Sequence, residues 1–334
     1  MDISNRRHLR AVTRDRLEKS GQVPKIALIY GGIAVGSSLV STGLSLLMDH
    51  IANQYGGLSN LGTRAFLGTI STIFPFLIKF VLIALELGFL NAMLRVSRQQ
   101  YASPQSLRLG FQRFWVLIRS LLLQTGLYFI SAMASLYIAS TVFVFSPFGM
   151  KMNQVIETYA GANATQEALL AAMENPVAAA AIQDASIPLL ILFVLLFLLL
   201  SLPIAYAYRM TNFVIIDKPG IPALIAMSVS RNMMRHNFKK MFLVDLSLWW
   251  YYLAMILTTL LAYGDLILGA CGVTLPMSPI AAALLFLGLH LLGTLVLVVF
   301  LRPYVSVTYS LAYDSLRPQE KPQEGAVLGN IFNM

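Results

Sequence analysis

Long apolar runs alternate with short polar segments along this chain of 334 residues. An α-helix rises about 1.5 Å per residue, so it needs about 20 apolar residues to cross roughly 30 Å of hydrocarbon. The runs that meet this requirement are Ile26 to Met48, Ser71 to Leu94, Trp115 to Val144, Ile187 to Tyr208, Leu246 to Gly264 and Pro279 to Leu301. The pattern predicts an all-α protein, a polytopic transmembrane helical bundle of about six spans.

The basic residues between these runs predict the orientation of the bundle. Of the 24 Lys and Arg residues, 20 lie in the N-terminal segment, the second and fourth connecting segments and the C-terminal end, whereas only Arg64 and Lys151 lie in the other connections. Cytoplasmic loops of membrane proteins carry the excess of Lys and Arg, so we expect cytoplasmic N- and C-termini. The predicted parts are a basic segment over 1–25, a membrane domain over 26–317 and a flexible cytoplasmic tail over 318–334.

Composition agrees with a lipid environment and excludes several function classes. Hydrophobic residues make up 57% of the chain and charged residues 12%, against about 25% charged in soluble domains. The formal charge of +9 follows from the topology, so we expect no nucleic acid partner. Cys271 is the single cysteine, and no motif typical of metal, phosphate or nucleophile chemistry is present. We therefore expect no metal, no cofactor and no enzymatic activity.

Two connections have a distinct character. The predicted external loop 146–186 is rich in alanine, contains the glycosylation-like Asn163-Ala164-Thr165, and has a short helix that begins at Thr165. The cytoplasmic segment 217–241 is amphipathic, with apolar residues at helical spacing between basic ones. It is predicted to lie in the layer of anionic lipid headgroups, or else to be a solvated connector. Its apolar positions are Met227, Met234, Phe238 and Met241.

Charged residues inside predicted spans are candidate functional groups, because they are costly in lipid. Lys79 and Glu86 stand seven residues apart, two turns along one face of the second helix, and Pro75 is expected to kink that helix. A polar seam beside a kink would suit a transport path. The alternative is that these groups bond to neighbouring helices, for instance Glu86 to Arg119, and hold the bundle together.

Small and aromatic residues predict packing surfaces. Gly32 and Gly36 form a GxxxG pattern, and Ala27, Gly31 and Ser37 are also small, which indicates a close-packing face on the first helix. The run Trp249-Trp250-Tyr251-Tyr252 is typical of an aromatic belt at the inner membrane interface. Asp245 and Asp265 do not form an intramembrane aspartyl protease pair, because they are 20 residues apart and Asp265 lacks the first glycine of GxGD.

Specific motifs carry a resemblance to a known family. The chain resembles the bacterial integral membrane family known as domain of unknown function 975. The residues that carry the likeness are Asn5 to Arg10, Pro203-Ile204-Ala205-Tyr206-Ala207-Tyr208, Asp217-Lys218-Pro219, Ala223-Leu224, Ser230, Met234, Phe242 to Ser247 with Trp249 or Trp250, Arg302-Pro303-Tyr304, and Ala312 to Leu316. One departure is that His236 and Phe238 stand where the family has glycine and then lysine. The resemblance implies a membrane fold in a bacterium and no assigned reaction.

The two aspartates of this motif have structural explanations. Asp217 precedes Lys218-Pro219, which is a turn signal, and Asp245 is expected to pair with nearby lysines or to cap a backbone. The function expected is that of a non-enzymatic, multi-pass plasma membrane component that assembles with or regulates an unknown protein partner. A small-solute or lipid transporter that uses Lys79 and Glu86 is the alternative, and a membrane enzyme acting on lipids is a third class.

Overall fold

A computed structural model of the chain describes residues 5–54, 61–161, 175–270 and 278–317, and every regular element within these ranges is helical. The helices are α1 (Arg6–Lys19), α2 (Val23–Gln54), α3 (Leu61–Ser97), α4 (Leu109–Gln112), α5 (Phe114–Val144), α6 (Pro147–Ala160), α7 (Pro176–Ala207), α8 (Thr211–Asp217), α9 (Ala223–Met234), α10 (Phe238–Ser247), α11 (Trp249–Ala262), α12 (Gly264–Ala270), α13 (Pro279–Val296) and α14 (Arg302–Leu316). The prediction of an all-α protein is confirmed. Asn163-Ala164-Thr165, the short helix expected from Thr165, Cys271 and the tail 318–334 lie outside the described residues.

Five helical segments of the described chain are long and apolar enough to cross a membrane. They are Val23–Leu44, Gly68–Ser97, Phe114–Val144, Ile182–Asp217 and Leu284–Leu316. These segments correspond to five of the six apolar runs in the sequence. These helices support the prediction of a multi-pass membrane protein.

The remaining run, Leu246 to Gly264, does not form one straight helix. α10 and α11 meet at an angle of 61°. The break follows from the end of α10, where the Ser247 hydroxyl binds the Val244 carbonyl and the Leu248 amide binds the carbonyl three residues earlier. α11 has 14 residues and is about 21 Å long, so it reaches the length of a span only together with α10.

The chain divides into two compact units, and the smaller one comprises residues 119–209. In this unit α6 packs along α7. α6 begins at a cap in which the Ser146 hydroxyl accepts a hydrogen bond of 3.1 Å from the Gly149 amide. The Asn175 side chain caps α7 in the same way by accepting from the Val177 amide at 3.0 Å.

The larger unit comprises residues 1–118 and 210–334, and among its described residues α14 supplies much of the core. Val307, Ala312 and Tyr313 of this helix are at most 1% exposed. The basic helix α1 packs against α14, where the hydroxyl groups of Thr13 and Thr308 are 3.3 Å apart, and Leu9 of α1 is buried. The N-terminal basic segment therefore contains a helix that is folded onto the core.

α2 and α3 pack closely together in the larger unit. The ring of Tyr30 stacks on that of Phe89 with 4.8 Å between the centroids, and Gly31 lies against Val298 and Val299. The close-packing face of the first span is thus centred on Gly31. A Cβ atom at Gly32 or Gly36 would meet nothing within 4 Å in the described structure, so the predicted GxxxG pair does not form that face.

The segment after α3 returns directly against that helix. A Cβ atom on Gly88 would overlap the backbone of Leu107, and one on Gly110 would overlap the backbone of Ala84. Gln99, two residues beyond the end of α3, has a left-handed backbone with φ of 57°. At such a helix end glycine is usual because it has no Cβ to clash.

Candidate functional site

The last helix brings the two motif aspartates into one described unit. Tyr309 and Tyr313 are four residues apart and therefore lie on the same face of α14. The Tyr313 hydroxyl donates a hydrogen bond of 3.0 Å to Asp217, and the Tyr309 hydroxyl donates one of 2.6 Å to Asp245. The closing aromatic stretch and the central motif of the resemblance are thus in direct contact.

Asp217 is the centre of an ion-pair network. It is the last residue of α8, and its side chain is only 7% exposed. Arg98 contacts Asp217 at 2.8 Å and Asp314 at 2.6 Å, while Arg317 contacts Asp217 at 3.0 Å. We call Arg98, Asp217, Tyr313, Asp314 and Arg317 the Asp217 network.

The Asp217 network is balanced in charge, with two arginines against two aspartates. Arg98 uses three nitrogens on the two carboxylates, an arrangement that suits the planar guanidinium. Its pKa is raised above the ordinary value, chiefly because Asp314 accepts its hydrogen bonds. Removal of either aspartate would leave a partly buried arginine with less compensation, so this cluster ties α3, α8 and α14 together.

Asp245 is hydrogen-bonded to Tyr309, whose hydroxyl group is in turn bonded to that of Tyr252. Its side chain is largely buried, and Tyr309 donates its only hydroxyl proton to it. The Tyr252 hydroxyl, 2.7 Å from that of Tyr309, is therefore the donor in the second bond. The sequence predicted lysine pairing or a backbone cap for Asp245, and the structure shows this tyrosine contact.

Within the spans, the carboxylate of Glu86 is bound by Arg302 at 2.5 Å. Arg302 is the first residue of α14 and follows a turn of π-helix over Leu297–Leu301. Its guanidinium carbon lies 5.3 Å from the centre of the Tyr30 ring, a cation–π distance. Lys79 is exposed on α3, and Arg119 is exposed on α5 in the smaller unit.

Arg113 is a further structural arginine that the sequence patterns did not identify. Its guanidinium donates hydrogen bonds to the backbone carbonyls of Ile215 and Ile216, the second at 2.8 Å. These carbonyls belong to the last turn of α8, where helical partners are lacking. Burial lowers the pKa of Arg113 below its ordinary value. The nearest signal in the sequence is its place in a connection that contains bases and no acids.

The segment 217–241 forms α9 and the start of α10, with a break at residues 235–237. Its methionines Met227, Met234 and Met241 are buried inside the protein, whereas Leu224 and Ile225 near the start of α9 are exposed. The segment also carries exposed basic residues. We call this surface the basic face; its residues are Arg231, Arg235, Lys239 and Lys240.

The aromatic run at the start of α11 is divided between two environments. Trp249 is 59% exposed, as expected of a residue in an interface belt. The other three rings face the protein, since Trp250 packs 5.8 Å from Tyr304 and Tyr252 bonds to Tyr309. The run therefore contributes more to packing around α14 than its sequence suggested.

A cavity of about 400 Å³ lies beside the Asp217 network. Lys218, Asn232, Asn237 and Arg317 supply its polar lining. In the part of the chain that the structure describes, no group of three or more His, Cys, Asp or Glu residues is arranged to hold a metal ion. No protein-family model matches the chain, and neither a curated protein nor a solved structure matches it significantly.

Proposed function

We propose that this protein is a non-enzymatic component of the bacterial plasma membrane, with six spans and both termini in the cytoplasm, that assembles with a protein partner. The observation that carries the proposal is that Glu86 and Asp217 are both held in ion pairs with arginines of other helices or connections. Glu86 is paired with Arg302, and Asp217 is paired with Arg98 and Arg317. Charges that bind one another between helices hold a scaffold in one arrangement.

The basic face gives this scaffold a surface for assembly. Its four cations are exposed while the methionines behind them are buried, so the helices that carry them are anchored in the protein core. A fixed cluster of like charges attracts acidic surfaces over about 10 Å at moderate salt. We therefore propose an acidic segment of another protein as the group that docks there.

We also propose membership of the family known as domain of unknown function 975. The motif residues Asp217 and Asp245 are both bound by tyrosines of α14, which belongs to the closing stretch of the same resemblance. This supports the view that the separated motifs describe one packing arrangement. It favours a structural role for those residues over a catalytic one.

The test is extraction of the full chain from its own membrane in a mild detergent, followed by identification of the proteins that co-purify. Wild type is compared with Lys239→Glu/Lys240→Glu on the basic face and with Arg7→Glu/Arg14→Glu on α1 as the control. We expect a partner at constant stoichiometry with wild type and control, and its loss from the first variant. Recovery of wild type alone and monomeric would contradict the proposal.

Transport by the pair Lys79 and Glu86 is the competing function, and a flux measurement separates the two. The purified chain is reconstituted in liposomes and assayed for proton and small-ion flux, beside Glu86→Gln. We expect no flux above that of empty liposomes. A flux in wild type that Glu86→Gln abolishes would replace the assembly proposal by transport.

A further inference from the structure

A second cavity, of about 420 Å³, lies between the end of α1 and the turn that follows α3. It lies where two packed spans end, because one span begins at Val23 and the other ends at Ser97. Apart from Val96, the lining residues lie just beyond these ends, where a spanning helix is expected to reach the lipid headgroups. Its polar lining includes Arg16, Lys19, Gln22, Gln99, Gln100 and Tyr101.

Arg16 is the unusual member of this lining. Its Nε and Nη1 atoms are buried and have no hydrogen-bond acceptor among the described residues. The neighbouring bases on α1 are compensated, since Arg14 pairs with Glu18 at 2.7 Å and Lys19 pairs with Asp15 at 2.8 Å. Buried donors of a charged group are costly without an acceptor, so the arrangement calls for an anion.

The other donors around the cavity favour a phosphate group. A guanidinium offers parallel N–H groups that match two phosphate oxygens. The 32-residue helix α2 begins beside the cavity, and the start of a long helix favours negative charge. The side-chain amides of Gln22, Gln99 and Gln100 add neutral donors. Lys19 is exposed and shared with Asp15, so Arg16 is the stronger ligand.

We propose that this cavity binds a phosphate group, carried either by an anionic lipid headgroup or as free phosphate, with Arg16 as its principal ligand. The site goes beyond the assembly function and does not depend on it. A phosphate at this position would bind the Arg16 guanidinium and would brace α1 against the ends of α2 and α3.

The first test compares two substitutions of Gly21, which lines the cavity, one to aspartate and one to asparagine. A Cβ atom there would meet nothing within 4 Å, so aspartate and asparagine both have room. The two side chains have nearly the same size, but only aspartate repels phosphate. The full chain is placed in phosphatidylcholine nanodiscs that contain increasing fractions of phosphatidylglycerol, and native mass spectrometry counts the phosphatidylglycerol molecules retained. We expect Gly21→Asp to retain it at least about tenfold more weakly than Gly21→Asn.

The second test compares Arg16→Gln with Arg7→Gln, an exposed arginine on the same helix. Both variants lose one positive charge, but only Arg16 lines the cavity. The thermal midpoint of each is measured with phosphatidylglycerol, and separately with inorganic phosphate in pure phosphatidylcholine nanodiscs at constant ionic strength. We expect the ligand-dependent rise in midpoint to persist in Arg7→Gln and to be lost in Arg16→Gln.

The measurements with phosphatidylglycerol and with inorganic phosphate distinguish the two sources of the phosphate group. A rise with phosphatidylglycerol alone assigns a lipid headgroup, and a rise with inorganic phosphate assigns free phosphate. If neither ligand raises the midpoint of wild type, or if the ligand that raises it acts equally on Gly21→Asp and Gly21→Asn, the proposal is overturned. The comparison of Gly21→Asp with Gly21→Asn still tests the proposal if Arg16→Gln does not fold.

Discussion

Tyr313 and Asp217 are 96 positions apart in the chain, and the hydroxyl group of Tyr313 donates a 3.0 Å hydrogen bond to the Asp217 carboxylate. One turn earlier on α14, Tyr309 makes the corresponding contact with Asp245. A single helix face therefore holds the end of α8 and the end of α10. The predictions below measure how much of the fold depends on this face and on the charges around it.

Asp217→Asn should destabilise the protein by about 3 kcal/mol. The substitution removes the negative charge that Arg98 and Arg317 share, and loss of one member of a buried ion pair leaves the other charge uncompensated. The free energy of unfolding is measured by titration with sodium dodecyl sulfate in mixed micelles. Asp184→Asn, an exposed acid on α7, is the matched control and should change little.

Tyr309→Phe should destabilise the protein by about 1 to 2 kcal/mol. It removes the donor to Asp245 and the acceptor of the Tyr252 hydroxyl while keeping the ring. The same micelle titration provides the measurement, with Tyr137→Phe as a control on a 73% exposed tyrosine. Equal effects of the two substitutions would show that the hydroxyl chain contributes nothing to stability.

Glu86→Gln should lower stability by about 2 kcal/mol, because it leaves the Arg302 guanidinium without its carboxylate in an apolar setting. The double variant Glu86→Gln/Arg302→Met should recover part of that loss, because it removes the unpaired charge as well. Lys79→Gln on the same helix is the control and should fall within about 0.5 kcal/mol of wild type. A thermal unfolding series in one detergent tests all three variants.

Gly88→Ala should prevent correct folding or cost about 3 kcal/mol or more, because its Cβ atom would overlap the Leu107 backbone. Gly36→Ala introduces the same methyl group where nothing lies within 4 Å, so it should be tolerated. The yield of monodisperse protein after size-exclusion chromatography compares the two. A low yield for Gly36→Ala would indicate that a second chain packs on that side of α2.

The proposed orientation predicts which positions are reached from outside the cell. After Cys271→Ser, single cysteines are introduced at Lys151 on α6 and at Arg235 on the basic face, both exposed. A membrane-impermeant maleimide added to intact cells should label Lys151→Cys and should label Arg235→Cys only after lysis. The reverse pattern would invert the topology.

Much of the fold could be predicted from the order of residues, because apolar runs of about 20 residues have few alternatives to a membrane helix. The bend within the fifth run could not, since it depends on how the end of α10 satisfies its carbonyls and on what Asp245 contacts. The amphipathic segment 217–241 was expected in the lipid headgroup layer or as a solvated connector, and that choice stays a prediction. Its periodicity did not show that Met227, Met234 and Met241 are buried in protein, because burial there depends on helices distant in the chain.

In the candidate site, too, some features could be predicted from the sequence and others could not. Glu86 stood out in the sequence because charges inside apolar helices are rare, and Asp217 and Asp245 stood out because they belong to the motif that carries the family resemblance. Their pairing with Arg98, Tyr309 and Arg302 could not be predicted, because each partner lies far away in the chain and its spacing indicates no contact. Sequence alone determined that the chain is helical, apolar and rich in bases between spans, since these properties follow from local residue order. Only the tertiary structure decided which charged residues form pairs. Pairing depends on which helices pack against one another, and local residue order does not determine that.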